Sequence, residues 1–377
     1  MHRAKEQTAM LDINPTGKKM ILSIDSGGVR GIICVAMLAE LEKMTGKTCP
    51  QLFDMVAGTS TGAIIAAGIG LGISAQELLE DVYRTRLPEA FRQQPSGISL
   101  YLRYLFGGLR NLYDLQPFIR ALAPFASGKK ISDFSHPIVF MTTRDVRTAN
   151  TYFIVSAGPG AAMFADWPVS GAVAASGAAP IFFAPVLGNL VDGGVGVNGN
   201  PSFGASVEAM EYIGASAGFT DGHVIHMSIG TGYLPREQPE GAAGRFWLLD
   251  WVRYLIFESL NDTSLEQVFN TRIVYGSRID FRRYNPYMQA ASVRDVLGID
   301  LTGRPDPASI GSGLEAFAPE QIALMEDIGR AYAHKIDWTE PHYLPWLTSG
   351  PDRGEGRDGG HPLPGVQPSR WAGSPFH

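Results

Sequence analysis

Two hydrophobic rhythms alternate along this chain. Short apolar runs of strand length end in glycine-rich turns. Longer segments follow, with apolar residues recurring every three to four positions. Residues 20–25 carry Ile21, Leu22 and Ile24 and predict a buried strand. Residues 31–44 carry Ile32, Val35, Leu38, Leu41 and Met44 at helical spacing. A second pair follows, a strand over 53–57 and a helix over 61–70. Residues 74–86 predict an amphipathic helix, with Ser74 and Glu77 spaced as a capping box. Strands are predicted over 137–142 and 151–155, and a small-residue helix over 169–176. The apolar segment 181–191 leads into Asp192-Gly193-Gly194. Beyond it come a helix over 202–214 and a strand over 224–229 that ends in Gly230-Thr231-Gly232. Residues 246–275 read as helical, with Trp247, Trp251, Tyr254 and Phe257 on or near one face, and 319–333 as the last helix. Strands alternating with helices predict an α/β fold of three layers, α/β/α, around a mostly parallel sheet.

Composition narrows the class. A chain of 377 residues, 45% of them hydrophobic, suffices for a sizeable core. The net charge of −6 gives no basic field for a nucleic-acid partner. Cys34 and Cys49 are the only cysteines, so no disulfide framework is indicated, which suits a reducing compartment. The opening MHRAKEQTAMLDINPTGKK lacks the apolar core of a signal peptide. The longest apolar stretches, around 63–73 and 169–186, are broken by glycine and proline and fall short of a membrane span. The expectation is a soluble, cytoplasmic protein. It has a flexible leader over 1–18, a main domain over 19–335 with a helical part over 246–335, and a largely disordered tail over 336–377. Residues 98–106 and 246–254 are apolar, aromatic and locally basic. Each suits a helix lying on a lipid surface, and, as the more ordinary reading, a core or lid helix packed on the sheet.

Two glycine turns carry candidate chemistry. Gly58-Thr59-Ser60-Thr61-Gly62 lies between a strand and a helix, where flanking glycines allow a sharp turn that presents a serine hydroxyl at the sheet edge. A buried or capping serine in an ordinary turn fits the same five residues. Asp25-Ser26-Gly27-Gly28-Val29-Arg30-Gly31 also joins a strand to a helix. Residues without Cβ let backbone N–H groups converge on one oxygen. Neither GxGxxG nor GxxxxGK[ST] is present, which removes the dinucleotide and phosphate-loop readings. Arg30 suits either an anion or a bracing salt bridge.

A nucleophilic serine needs a proton acceptor. The histidines are His2, His136, His223, His226, His334, His342, His361 and His377, and none lies in a glycine-flanked loop after a strand. His226 falls inside a predicted strand and reads as a core histidine. His136, His223, His334 and His342 stay open as bases for a soluble esterase. Asp192 follows an apolar run and is followed by two glycines, which leaves its carboxylate unobstructed. A plain Asx-turn aspartate fits the same residues.

Taken in order, these pieces resemble the patatin-like phospholipase family. That family carries D-G-G-G-x-R-G, then G-x-S-x-G, then D-G-[GA]. These correspond here to Asp25–Gly31, Gly58–Gly62 and Asp192–Gly194, and A-S-x-A-x-P corresponds to Ala175–Pro180. The resemblance spans about residues 20–335 and implies a patatin-like fold and a Ser60–Asp192 dyad with no histidine. Ser60 would attack the ester carbonyl, Asp192 would take its proton and help activate water, and an acyl-enzyme would be hydrolysed. The N–H groups of Gly27 and Gly28, with Thr61, would hold the oxyanion beside Arg30. The resemblance implies no metal or organic cofactor, a phospholipid or other acyl-lipid substrate, and transient contact with a membrane surface. One position departs from the family: Ser26 stands where glycine is usual. It keeps its N–H, but its hydroxyl and backbone preferences alter the loop. The rival readings are a soluble carboxylesterase or thioesterase with a histidine triad and a catalytically inactive effector on the same scaffold, hinted at by Ser26. Acyl transfer to an acceptor other than water uses the same motifs.

Overall fold

The computed structural model describes residues 10–92, 111, 113–234, 241–247, 250–251, 254, 259–310 and 318–340. The apolar segment 98–106, residues 1–9 of the expected leader and residues 341–377 of the expected tail lie outside these, as does part of 246–258.

Seven strands form one sheet: β1 (Lys19–Ile24), β2 (Met55–Gly58), β3 (Ile138–Asp145), β4 (Asn150–Val155), β5 (Leu190–Asp192), β6 (Val224–Ile229) and β7 (Asp280–Tyr284). Their order is β4-β3-β2-β1-β6-β7, with β5 also paired to β3. The pairings from β3 through β2, β1 and β6 to β7 are parallel, while β4 and β5 run antiparallel to β3. The helices used below are α1 (Gly31–Thr45), α2 (Thr61–Gly70), α3 (Leu115–Ala126), α4 (Val169–Ser176), α5 (Ser202–Val207), α6 (Ser259–Tyr275) and α7 (Pro319–Ala333).

Strand alternation splits the core in two. Leu22, Ile24, Val56 and Met141 point to one face, among residues of α1, α2, α4 and α7. Ile21, Met55, Ala57 and Phe140 point to the other, among residues of α5 and α6. The fold is therefore a mostly parallel sheet between two helical layers, as the alternation of elements predicts.

The bounds of α2, α4, β6 and α7 coincide with those read from periodicity. Elsewhere the structure departs from the pattern. Ser74 and Glu77 form the expected cap, with Glu77 N–H donating to Ser74 Oγ at 3.2 Å. The helix beyond then widens into π-helical turns over Leu78–Arg86. The helix expected over 246–275 includes Ser259–Tyr275, whereas Ala242–Arg245 just ahead of it is a 3-10 turn. Strand β7 carries no apolar run because Arg282 and Arg283 interrupt it, and both are buried against carboxylates, Asp280 and Asp25. Within residues 10–18 of the expected leader, one side chain is anchored in the core. Ile13 is 2% exposed, and its carbonyl accepts from Arg282. At the start of the expected tail, Trp338 is buried and its indole donates to the Ala333 carbonyl at 3.0 Å. Among the described residues no helix is long and apolar enough to cross a membrane.

Candidate active site

The register of β3 brings the serine turn and the aspartate together. Along one edge of β3, Gly58 at the end of β2 pairs with Met141, and Asp192 at the end of β5 pairs with Thr143. The two strands enter that edge from opposite ends. Their termini, followed by Ser60 on one side and Gly193 on the other, meet over the middle of β3.

Ser60 sits at φ 57°, ψ −117°, between β2 and α2. This is a sparsely populated conformation for a residue with a side chain. Packing enforces the turn. A Cβ on Gly58 would run into the Gly62 carbonyl, and one on Gly62 into the Ile24 carbonyl. The Ser60 N–H donates to Ser176 Oγ at 2.9 Å, while the Ser176 carbonyl accepts from Gly193 N–H at 3.3 Å. Ser176, at the end of α4, thus ties the serine turn to the aspartate loop. It lies inside the Ala175–Pro180 motif, which was the only trace of it in the sequence. A hydroxyl bridge between Thr59 and Thr142 (2.7 Å) fixes the turn to β3.

Asp192 is 6% exposed. Burial pushes its carboxyl up to about 6, opposed by the Ser60 hydroxyl and by the Gly194 N–H. Gly194 N–H donates to Asp192 Oδ1 at 2.7 Å. A desolvated carboxylate titrating near neutrality, in contact with a hydroxyl, is chemically suited to accept that hydroxyl's proton.

The first glycine loop lies against the serine turn. Gly62 packs on the Ile24 and Asp25 carbonyls, and Gly31 on the Thr61 side chain. The helix starts of α1 and α2 therefore stand side by side, with their positive dipole ends toward Ser60. The N–H groups of Gly27, Gly28 and Thr61 make no backbone hydrogen bond among the described residues. The loop is held from behind. Ser26 N–H donates to the Gly199 carbonyl at 2.7 Å, and Thr231 Oγ1 donates to the Ser26 carbonyl at 2.7 Å. Ser26 thus spends its N–H on Gly199, and its side chain lies near Gly194. Arg30 reaches the Gly232 carbonyl at 3.3 Å, a bracing contact. Thr61 Oγ1 shares a 2.6 Å hydrogen bond with the buried Tyr83 hydroxyl, which the π-helical turns carry inward.

The described histidines are placed elsewhere. His226 is buried in β6, with Nε2 2.9 Å from Ser23 Oγ and Nδ1 2.9 Å from Ser206 Oγ. Burial holds it down to about 3, so it is a neutral core residue. His136 and His223 precede β3 and β6, at the end of the parallel strands opposite Ser60. His334 meets Glu40 at 3.3 Å, against α1. His342 lies outside the described residues.

Part of this chain is similar to a known family. Residues 22–203 match the sequence model described as Patatin-like phospholipase. The cGAMP-activated phospholipase of Vibrio cholerae is 30% identical over 198 residues, covering 48% of this chain and 55% of that protein. The 85/88 kDa calcium-independent phospholipase A2 of Mus musculus is 31% identical over 196 residues, 51% of this chain and 24% of that protein. The chain thus spans about half the length of the first relative and a quarter of the second. The crystal structure of VipD from Legionella pneumophila aligns with 82% of this chain and 67% of its own at 14% identity, with a TM-score of 0.35.

Proposed function

We propose that this protein is a lipid acyl hydrolase of the phospholipase A type, cleaving carboxylic esters of glycerolipids through a Ser60–Asp192 dyad. The observation that carries this reading is the Ser60 hydroxyl against a buried carboxylate raised to about 6. In the proposed reaction Asp192 takes the Ser60 proton as Oγ attacks the ester carbonyl. The N–H groups of Gly27, Gly28 and Thr61 receive the oxyanion, aided by the adjoining helix starts. The alkoxide leaves with the proton held by Asp192. Water, deprotonated by the same carboxylate, then releases the acyl group from Ser60. Arg30 braces the loop rather than meeting substrate. The phospholipase names of the relatives support a lipid ester as substrate.

The placement of the described histidines gives the triad reading no support. Nor does Ser26 favour an inactive effector, because its N–H is engaged away from the Gly27 and Gly28 donors. The test is fatty-acid release from phosphatidylcholine, with products identified by mass spectrometry. Ser60→Ala and Asp192→Asn should each abolish release, and Ser60→Ala should abolish fluorophosphonate labelling. Full turnover by Asp192→Asn would remove the dyad.

A further inference from the structure

The turn that leads into β5 contradicts both backbone preference and solvent preference at a single residue. Leu187 has a φ of 51° and Gly188 a φ of 83°. Asn189 N–H donates to the Val186 carbonyl at 3.3 Å, and Val186 and Leu190 exchange both backbone hydrogen bonds, at 2.8 and 2.9 Å. Two central residues at positive φ are the condition of a type I′ hairpin turn, whose first central position favours asparagine, aspartate or glycine. Leucine is strained there, and it is also 79% exposed. Ile181, earlier in the same loop, repeats the conflict: a β-branched residue at φ 76° that is 47% exposed.

The turn is not loose. Asn189 Nδ2 donates to Asp145 Oδ1 at 3.1 Å, and the Asn189 carbonyl accepts from Val146 N–H at 2.9 Å. Val146 is itself 54% exposed. Apolar side chains are thus held outward by a fixed backbone. Their position is set by register. Leu190 pairs with Asp145 and Asp192 with Thr143, so the turn projects beyond the end of the sheet at which Asp192 meets Ser60.

We propose that Leu187, Ile181 and Val146 form a docking rim that inserts into the surface of a lipid bilayer and sets the Ser60–Asp192 site upon it. The occupant rests on the reading of that site as a lipid acyl hydrolase. A lipid surface is the environment in which exposing leucine and isoleucine at this end of the molecule becomes favourable, since their apolar area leaves water on contact. Strain kept at such positions marks a side chain retained for something other than stability.

The experiment uses Leu187→Asn, which installs the Asn-Gly pair that the turn prefers. Its Tm should rise by about 1–3 °C. In a Ser60→Ala background, its co-sedimentation with phosphatidylcholine vesicles should fall about fivefold. With Ser60 intact, hydrolysis of those vesicles should fall in step, while turnover of a short soluble ester stays unchanged. Leu187→Met should retain vesicle binding. Vesicle binding by Leu187→Asn equal to that of wild type would overturn the rim and leave its apolar side chains to a protein partner or to none. Equal loss on soluble ester and vesicles would also overturn it, because the turn would then be shaping the site. A wild-type protein that releases no fatty acid, yet binds vesicles through Leu187, would overturn the hydrolase reading and keep the rim.

Discussion

Asp192 sets opposite demands on stability and on activity. Burial raises its carboxyl from 3.8 to about 6, and the proposed chemistry uses the ionised form. kcat/KM should therefore fall about tenfold per pH unit below about 6 and level off above it, as a pH–rate profile on a soluble ester will report. The stability consequence has the reverse sign. A carboxyl whose pKa is higher in the folded state favours folding when neutral. That contribution is complete below the unfolded value near 4 and is lost as pH rises through about 6. At neutral pH the charged side chain therefore costs roughly 3 kcal/mol. Asp192→Asn should be inactive yet more stable than wild type at pH 7, by up to that amount, and the gain should vanish below about pH 4. Urea denaturation at the two pH values measures it. Equal stability at pH 7 would mean that the carboxylate is better solvated than its burial implies.

Between elements, the glycine loop depends on a partner remote in sequence. Asp25 opens the loop, and both its oxygens accept from Arg283 of β7, at 2.8 and 2.5 Å. Ser264 of α6 donates to the same carboxylate at 2.9 Å, and Ser228 of β6 accepts from the guanidinium at 2.8 Å. Arg283 is 1% exposed, so removing it strands a buried charge. Arg283→Met should cost about 3–5 kcal/mol, and the double variant with Asp25→Asn less than the single one. Chemical denaturation of the four proteins gives the coupling directly. This pair also shows where the sequence stops being readable. The serine turn, the glycine loop and the aspartate loop are local, so each could be recognised from adjacent residues. Asp25 and Arg283 lie 258 positions apart. Arginine in β7 reads as exposed until its carboxylate is known, and the strand was lost with it. Ser176 and Thr231 were visible as motif and turn residues, but their role consists of tertiary hydrogen bonds that no spacing encodes. The Leu187 turn was hidden for another reason: its residue contradicts the backbone that it adopts.

For the molecule as a whole, the core does not end where the family match ends at residue 203. Leu324, Met325 and Ile328 of α7 are fully buried in the same cluster as α1, and Ile336 and Trp338 extend it. The two helices cross closely at Gly329, where a Cβ would come within 2.8 Å of Ala36 Cβ and closer still to the Ile33 carbonyl. Charges bind the same crossing. Arg330 reaches Glu40 of α1 and, at 2.9 Å, Glu326, which Arg84 of the π-helical turns also holds at 2.8 Å. Helix α1 starts at the glycine loop and the π-helical turns present Tyr83 to Thr61, so α7 braces both sides of the candidate site from outside the recognisable motifs. Gly329→Leu must therefore push α7 off α1, at a cost of about 2–4 kcal/mol by overpacking, whereas Ala331→Leu on the half-buried flank should cost under about 1 kcal/mol. Thermal unfolding followed by circular dichroism distinguishes the two. If the site depends on this brace, the Gly329 variant should also lose turnover at temperatures where it remains folded. Unchanged turnover would make α7 a structural buttress with no bearing on the position of the loop.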